Sequence, residues 1–80
     1  MNLRERDGFR TVFLREIYLA YHAEVKSMVE IDISKDADEK IFALRYFEDK
    51  GYITKFSYNR DTGKAHIERL TAMGIDEVEG

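Results

Sequence analysis

The stretch FEDKGYITKFSYNRDTGKAHIERLTAMG, residues 47–74, decides the fold. An apolar run at helical spacing ends at Gly51, the residue type that accepts the left-handed backbone closing a helix. From Tyr52 the period changes to two. YITKFSY, residues 52–58, has the β-branched and aromatic content of a strand. NRDTG, residues 59–63, is turn chemistry: Asn59 and Asp61 bond locally and Gly63 takes a positive φ. KAHIERL, residues 64–70, is the returning strand, and Thr71 caps a last short helix that buries Ile75 and Val78.

Upstream, the residues from Asp36 to Lys50 form a helix with Ile41, Leu44 and Phe47 turned inward. Asp36 and Glu39 have the D-x-x-E spacing of a capping box, and Asp38 and Glu39 suit the positive end of the helix dipole. Before it, VEIDIS, residues 29–34, alternates Val29, Ile31 and Ile33 with polar residues and predicts a short strand with one wet face. GFRTVFLREIYLAYHA, residues 8–23, predicts the first helix. Phe9, Val12, Phe13, Ile17, Ala20 and Tyr21 recur at helical spacing, and Leu14, Tyr18 and Leu19 widen the stripe beyond one face. A stripe that broad packs on more than one side: a central helix, with room for pairing across a dimer interface.

Eighty residues without proline, repeat or low-complexity tract predict a single domain with a small core, for which self-association is a realistic source of extra burial. The absence of cysteine excludes disulfides, zinc-thiolate sites and cysteine nucleophiles. MNLRERDGF carries charges where a secretory signal needs an apolar run, and no stretch approaches a membrane span. The expected setting is the cytoplasm, away from membranes. The net charge of −3 is unevenly spread. Residues 1–15 carry four arginines against two acids, residues 24–39 two lysines against six acids, and residues 50–69 five bases against two acids. A basic hairpin thus follows an acidic middle, and local sign matters more than the total for a phosphate partner.

Two local patterns carry a resemblance. Leu44, Phe47, Glu48, Asp49, Lys50, Gly51, Tyr52 and Ile53 look like the exit from recognition helix to wing in the winged helix-turn-helix superfamily, with Phe at the second Leu position. Leu70, Thr71, Ala72, Met73 and Gly74 are similar to the L-T-x-x-G step that follows the wing in many bacterial regulators and in small prophage-encoded winged-helix proteins. The resemblance covers roughly residues 9–79. It implies an α+β winged helix: helix, short strand, helix, two-stranded wing and short C-terminal helix. The superfamily usually sets two helices between the first strand and the wing. Here the second of the three usual helices is expected to be missing or reduced to a turn near Ser34–Ala37, and no long dimerising helix is expected after the L-T-x-x-G step.

What the resemblance implies about function is double-stranded DNA binding and transcription regulation, with backbone contacts made mainly by the wing and by the basic N-terminal residues. Lys55, Arg60 and Lys64 lie in or beside the hairpin and Lys50 precedes it, while Lys35, Lys40 and Arg45 are the donors that the preceding helix offers. Against base reading stands the acidic first turn, Asp36, Asp38 and Glu39. The competing expectation is a protein-interaction or dimerisation module. Phe42, Tyr46, Tyr52, Phe56 and Tyr58 outnumber the inward positions left for them, so part of this aromatic surface is exposed and suits an interface.

Catalysis, metal and cofactor chemistry find no support in the residues. Asp32, Ser34, Asp36 and Asp38 have the spacing of a calcium loop, but Ala37 stands where glycine is needed and Ala43 where a bidentate glutamate belongs. His22 and His66 have no carboxylate at ligand spacing, and there is no glycine-rich phosphate loop or nucleophile elbow.

Overall fold

Asn2 sets the start of the first helix. In a computed structural model, which describes residues 2–23 and 28–80, the Asn2 Oδ1 accepts the Glu5 N–H at 2.8 Å, and its Nδ2 donates to Glu5 Oε1 at 2.9 Å. This reciprocal N-x-x-E cap starts α1 at Leu3 (Leu3–Ala23), five residues before the expected start at Gly8. Glu24 and Lys26, counted in the acidic middle, lie outside the described residues. The inner side of α1 buries Phe13, Leu14 and Ile17. Val12 and Leu19, part of the broad stripe, point outward at 59% and 60% exposure. The breadth of the stripe therefore has two causes: α1 packs against strand and helices on its inner side, and keeps an apolar strip outside.

β1 (Val29–Asp32) buries Val29 and Ile31 and exposes Glu30 and Asp32, as the alternation predicts. Ser34–Asp36 is a bend with no helix between it and β1. It is fixed by Asp32, whose Oδ1 accepts the Ser34 N–H at 2.8 Å and the Ser34 hydroxyl at 2.6 Å. α2 (Ala37–Asp49) follows, with Ile41, Leu44 and Phe47 buried as expected and Ala43 beside them.

The expected capping box does not form. Asp36 sits at φ +57°, in the left-handed region, and its side chain makes no cap bond. A side-chain cap needs an extended N-cap backbone to aim the oxygen at the first free N–H groups, and a left-handed residue does not provide it. At the other end the helix closes as predicted. Gly51 takes φ +80°, its N–H donates to the Glu48 carbonyl at 3.0 Å, and the Tyr52 N–H donates to the Phe47 carbonyl at 2.8 Å. These are the two bonds of a Schellman ending.

β2 (Phe56–Asn59) and β3 (Lys64–Ile67) form the hairpin, shorter than the sequence suggests at both ends. The expected strand from Tyr52 begins only at Phe56, because Tyr52 is used in the joint to the last helix. The returning strand stops at Ile67, with Ile53 and Leu70 meeting in one isolated bridge. At the tip, Asn59 Oδ1 accepts the N–H of Asp61 at 2.8 Å and of Thr62 at 3.3 Å, and Gly63 takes φ +69°.

The sheet is antiparallel with order β1-β3-β2. Val29 and Phe56 both flank Ile67, and Ile31 and Tyr58 both flank Ala65, on the side that faces the helices. The opposite side is polar, with His66 Nε2 3.1 Å from Glu30 Oε2.

α3 (Ala72–Glu79) starts where predicted, the Thr71 hydroxyl accepting the Gly74 N–H at 3.1 Å. Ile75 and Val78, expected to be buried, are only half-buried, because α3 lies at the edge of the core against α1. Tyr18 donates from α1 to the Glu79 carboxylate at 2.6 Å, and this bond holds the Tyr18 hydroxyl above its ordinary pKa. The result is the expected α+β layout, with one helix between the first strand and the wing. Among the described residues no helix is long and apolar enough to cross a membrane.

Candidate functional site

The α2 helix presents its solvent side between α1 and the hairpin. Asp38, Phe42, Arg45 and Asp49 recur at helical spacing there, and Glu48 stands beside them. All five are exposed, and Phe42 at the centre is 53% exposed. The face thus carries one base, three acids and an uncovered aromatic ring.

On the α1 side, two arginines one turn apart meet two aromatics one turn apart. The Arg6 guanidinium stands 5.1 Å from the Phe42 ring centroid, and that of Arg10 stands 4.2 Å from the Tyr46 centroid. Arg6 also grips Glu39 with two bonds, Nη2 to Oε1 at 2.9 Å and Nε to Oε2 at 3.2 Å. Glu39, expected to serve the helix cap, is instead the anchor for the start of α1.

On the hairpin side, Phe56 and Tyr58 stack with ring centroids 6.4 Å apart. With Ser57 they form one wall of an open groove whose other wall is Arg45, Glu48 and Asp49. A smaller cleft of about 100 Å³ lies between α1, the end of α2 and α3, with Arg10, Thr11, Tyr46 and Tyr52 among its lining residues. Burial pushes the Tyr52 hydroxyl upward, and the Glu77 carboxylate adds to the shift.

The seven cations expected to contact nucleic acid do not form one patch. Arg60, at the hairpin tip, is held by Asp38, with Nη2 and Oδ1 2.7 Å apart. Lys40 turns back and donates to the Asp32 carbonyl at 3.1 Å. Lys64 pairs in register with Asp32 and Asn59, so an acid of β1 lies beside it. Lys50 caps the end of α2 with its ammonium 6.0 Å from the Tyr46 ring. Lys35, in the bend, and Lys55, before β2, are exposed and form no ion pair among the described residues. Arg45 is exposed on α2 beside two acids.

The exposed-aromatic expectation divides. Phe42 and Tyr58 are exposed, whereas Tyr46, Tyr52 and Phe56 are half-buried against the core. Arg6 and Arg10 were expected only as part of the basic N-terminus, with no aromatic partners assigned to them. The only trace of the pairing in the sequence is matched four-residue spacing, 6 and 10 against 42 and 46, which does not say that the two pairs meet. Among the described residues no group of three or more His, Cys, Asp or Glu side chains is placed to hold a metal ion. No protein-family model, no curated protein and no solved structure matches this chain.

Proposed function

We propose that this chain is a divergent winged helix, lacking one of the superfamily's usual helices, and that it works by docking a protein partner on the outer face of α2. The observation that carries the reading is Phe42, 53% exposed at the centre of a helix face whose own charges are Asp38, Glu48 and Asp49 against Arg45, with Arg60 of the hairpin paired to Asp38 and Arg6 of α1 beside the ring. A duplex would meet Glu48 and Asp49 there, which form no ion pair among the described residues, at the place where base-reading helices carry Arg, Lys, Asn or Gln. A protein with an apolar pocket rimmed by lysine or arginine is the complementary surface: the ring fills the pocket and the acids meet the rim. Such a module belongs in the cytoplasm and performs no catalysis.

The second reading, binding of the DNA backbone through the wing, is favoured by one observation. Lys35, in the bend beside the hairpin tip, and Lys55, before β2, stay exposed, with Arg60 in the turn and Lys64 at the start of β3. A phosphate could compete with Asp38 for Arg60, since that ion pair is open to water.

One experiment separates the two. A photo-reactive benzoylphenylalanine placed at position 42 in the source cells is expected to give a discrete protein adduct, lost when Asp38 and Asp49 are both changed to Lys. In parallel, purified protein is titrated with a labelled duplex at low ionic strength. The docking proposal fails if no adduct forms, and it gives way to the DNA reading if the duplex binds with steep salt dependence. In that case Lys55→Ala, Arg60→Ala and Lys64→Ala combined should abolish the shift.

A further inference from the structure

The outer side of α1 is a second surface, apart from α2 and the wing, and its residues complement themselves. Gly8, Val12, Arg15, Glu16, Leu19 and Ala23 fall within an arc of about 100° of the helix, and all are exposed, with Arg15 at the edge where it also lines the cleft towards Tyr46 and Tyr52. Val12 and Leu19 are 59% and 60% exposed, on a helix whose opposite side supplies the core. Among the described residues neither Arg15 nor Glu16 forms an ion pair. Glycine in the second turn of a helix is unfavourable by about 1 kcal/mol relative to alanine. Nothing among the described residues accounts for it, because a β-carbon at Gly8 would meet none of their atoms within 4 Å.

We infer that α1 pairs with α1 of a second copy, antiparallel, about a two-fold axis that passes between Arg15 and Glu16. The reason is register. With the axis there, Val12 lies against the partner's Leu19, Arg15 against the partner's Glu16, and Gly8 against the partner's Ala23. Each pairing occurs twice by symmetry, the pattern of an isologous interface. The two apolar residues meet each other, each charge meets its opposite, and the two smallest residues lie at the ends, where they let the backbones approach. The overlapping helices run about 24 Å. A parallel pair has no such match, since it would set Arg15 against Arg15 and Glu16 against Glu16.

Sedimentation equilibrium over a range of concentrations is the first measurement, and a monomer–dimer equilibrium is expected. Arg15→Glu alone and Glu16→Arg alone each place like charges opposite one another twice, and each should weaken the dimer at least tenfold. The two changes together restore opposite charges and should restore the dimer. These residues are exposed, so circular dichroism should be unchanged in all three variants.

Orientation is read by cross-linking, which has no background because the chain contains no cysteine. Under mild oxidation a mixture of Val12→Cys and Leu19→Cys chains should form the mixed disulfide. Val12→Cys alone should not, since its two copies would lie about 10 Å apart along the axis. A wild-type chain that stays monomeric at the highest concentrations, a double variant that fails to recover, or efficient cross-linking of Val12→Cys with itself overturns the inference.

Discussion

Thr71 is tied to Tyr52 and to Gly51 before it: its backbone N–H donates to the Tyr52 carbonyl at 2.8 Å, and its hydroxyl proton is shared between the Gly51 carbonyl at 2.5 Å and the Tyr52 carbonyl at 3.0 Å. The same hydroxyl accepts the Gly74 N–H, so one side chain joins the exit from α2 to the start of α3. Gly74 completes the joint by being small. A β-carbon there would collide with the Tyr52 carbonyl oxygen and lie 2.7 Å from Leu70 Cδ1. Gly74→Ala therefore forces backbone apart, not merely a flexible side chain. The expected loss is about 1–3 kcal/mol. A thermal melt should fall by several degrees, and an unchanged melting temperature would show that the joint is not closed as described.

Gly8→Ala should act in the opposite direction. The position is helical, exposed and open to a β-carbon, so alanine recovers the helix propensity that glycine forfeits, about 1 kcal/mol. Urea unfolding at high dilution, where the chain is monomeric, should show a higher midpoint with the same slope. A lower midpoint would mean that α1 does not start at Leu3.

The two long-range ion pairs should differ in strength although both join acids of the first turn of α2 to arginines. Arg6 holds Glu39 by two bonds with side chains 31% and 27% exposed, whereas Arg60 holds Asp38 by one bond with side chains 55% and 88% exposed. Water screens the second pair and it fixes two loose side chains, so its coupling should be about 0.5 kcal/mol or less. Double-mutant cycles on both pairs are expected to rank Arg6–Glu39 above Arg60–Asp38. The reverse order would place the hairpin tip, not the start of α1, as the firmer attachment to α2.

Asp32 should titrate low. The Ser34 hydroxyl and then the Ser34 N–H bond its carboxylate, with Lys64 and Lys40 nearby, and together they hold it below the ordinary value of 3.8. Because the folded pKa is the lower one, its stabilising contribution is fully present above the ordinary value. It is lost as the pH falls through the lowered folded pKa. Carboxyl titration by NMR should find Asp32 below that ordinary value, and Ser34→Ala should raise its midpoint. A midpoint unmoved by Ser34→Ala would show that the hydroxyl bond does not set it.

Where a structural role is local, the sequence was readable. Gly51, Gly63 and Thr71 announce their roles because a positive φ or a hydroxyl cap depends on the nearest few residues. The alternation in Val29–Asp32 likewise predicts its own buried face. Readings failed where a distant group took over. Asp36 and Glu39 have the spacing of a capping box, but spacing does not report that Asp36 turns left-handed or that Arg6 claims Glu39. Tyr52 has strand chemistry, yet Thr71 claims its carbonyl and the strand starts four residues later. The candidate surface was legible in part. Phe42 belongs to an aromatic surplus that any count reveals, but only the placement of α1 decides that Tyr46 is covered and Phe42 is not.

The strand order β1-β3-β2 also bears on how the chain comes together. β2 and β3 are joined by a short turn and can pair as soon as that segment exists, whereas β1 must wait for α2 and the whole hairpin before it finds β3. Loop-closure entropy makes the distant pairing the later one. The residues from Phe47 to Gly74 are then the early-forming unit, and β1 with α1 closes onto it. Native-state hydrogen exchange should find the hydrogen-bonded amides of β1 released ahead of those the hairpin shares, a sequence of opening that runs the assembly backwards.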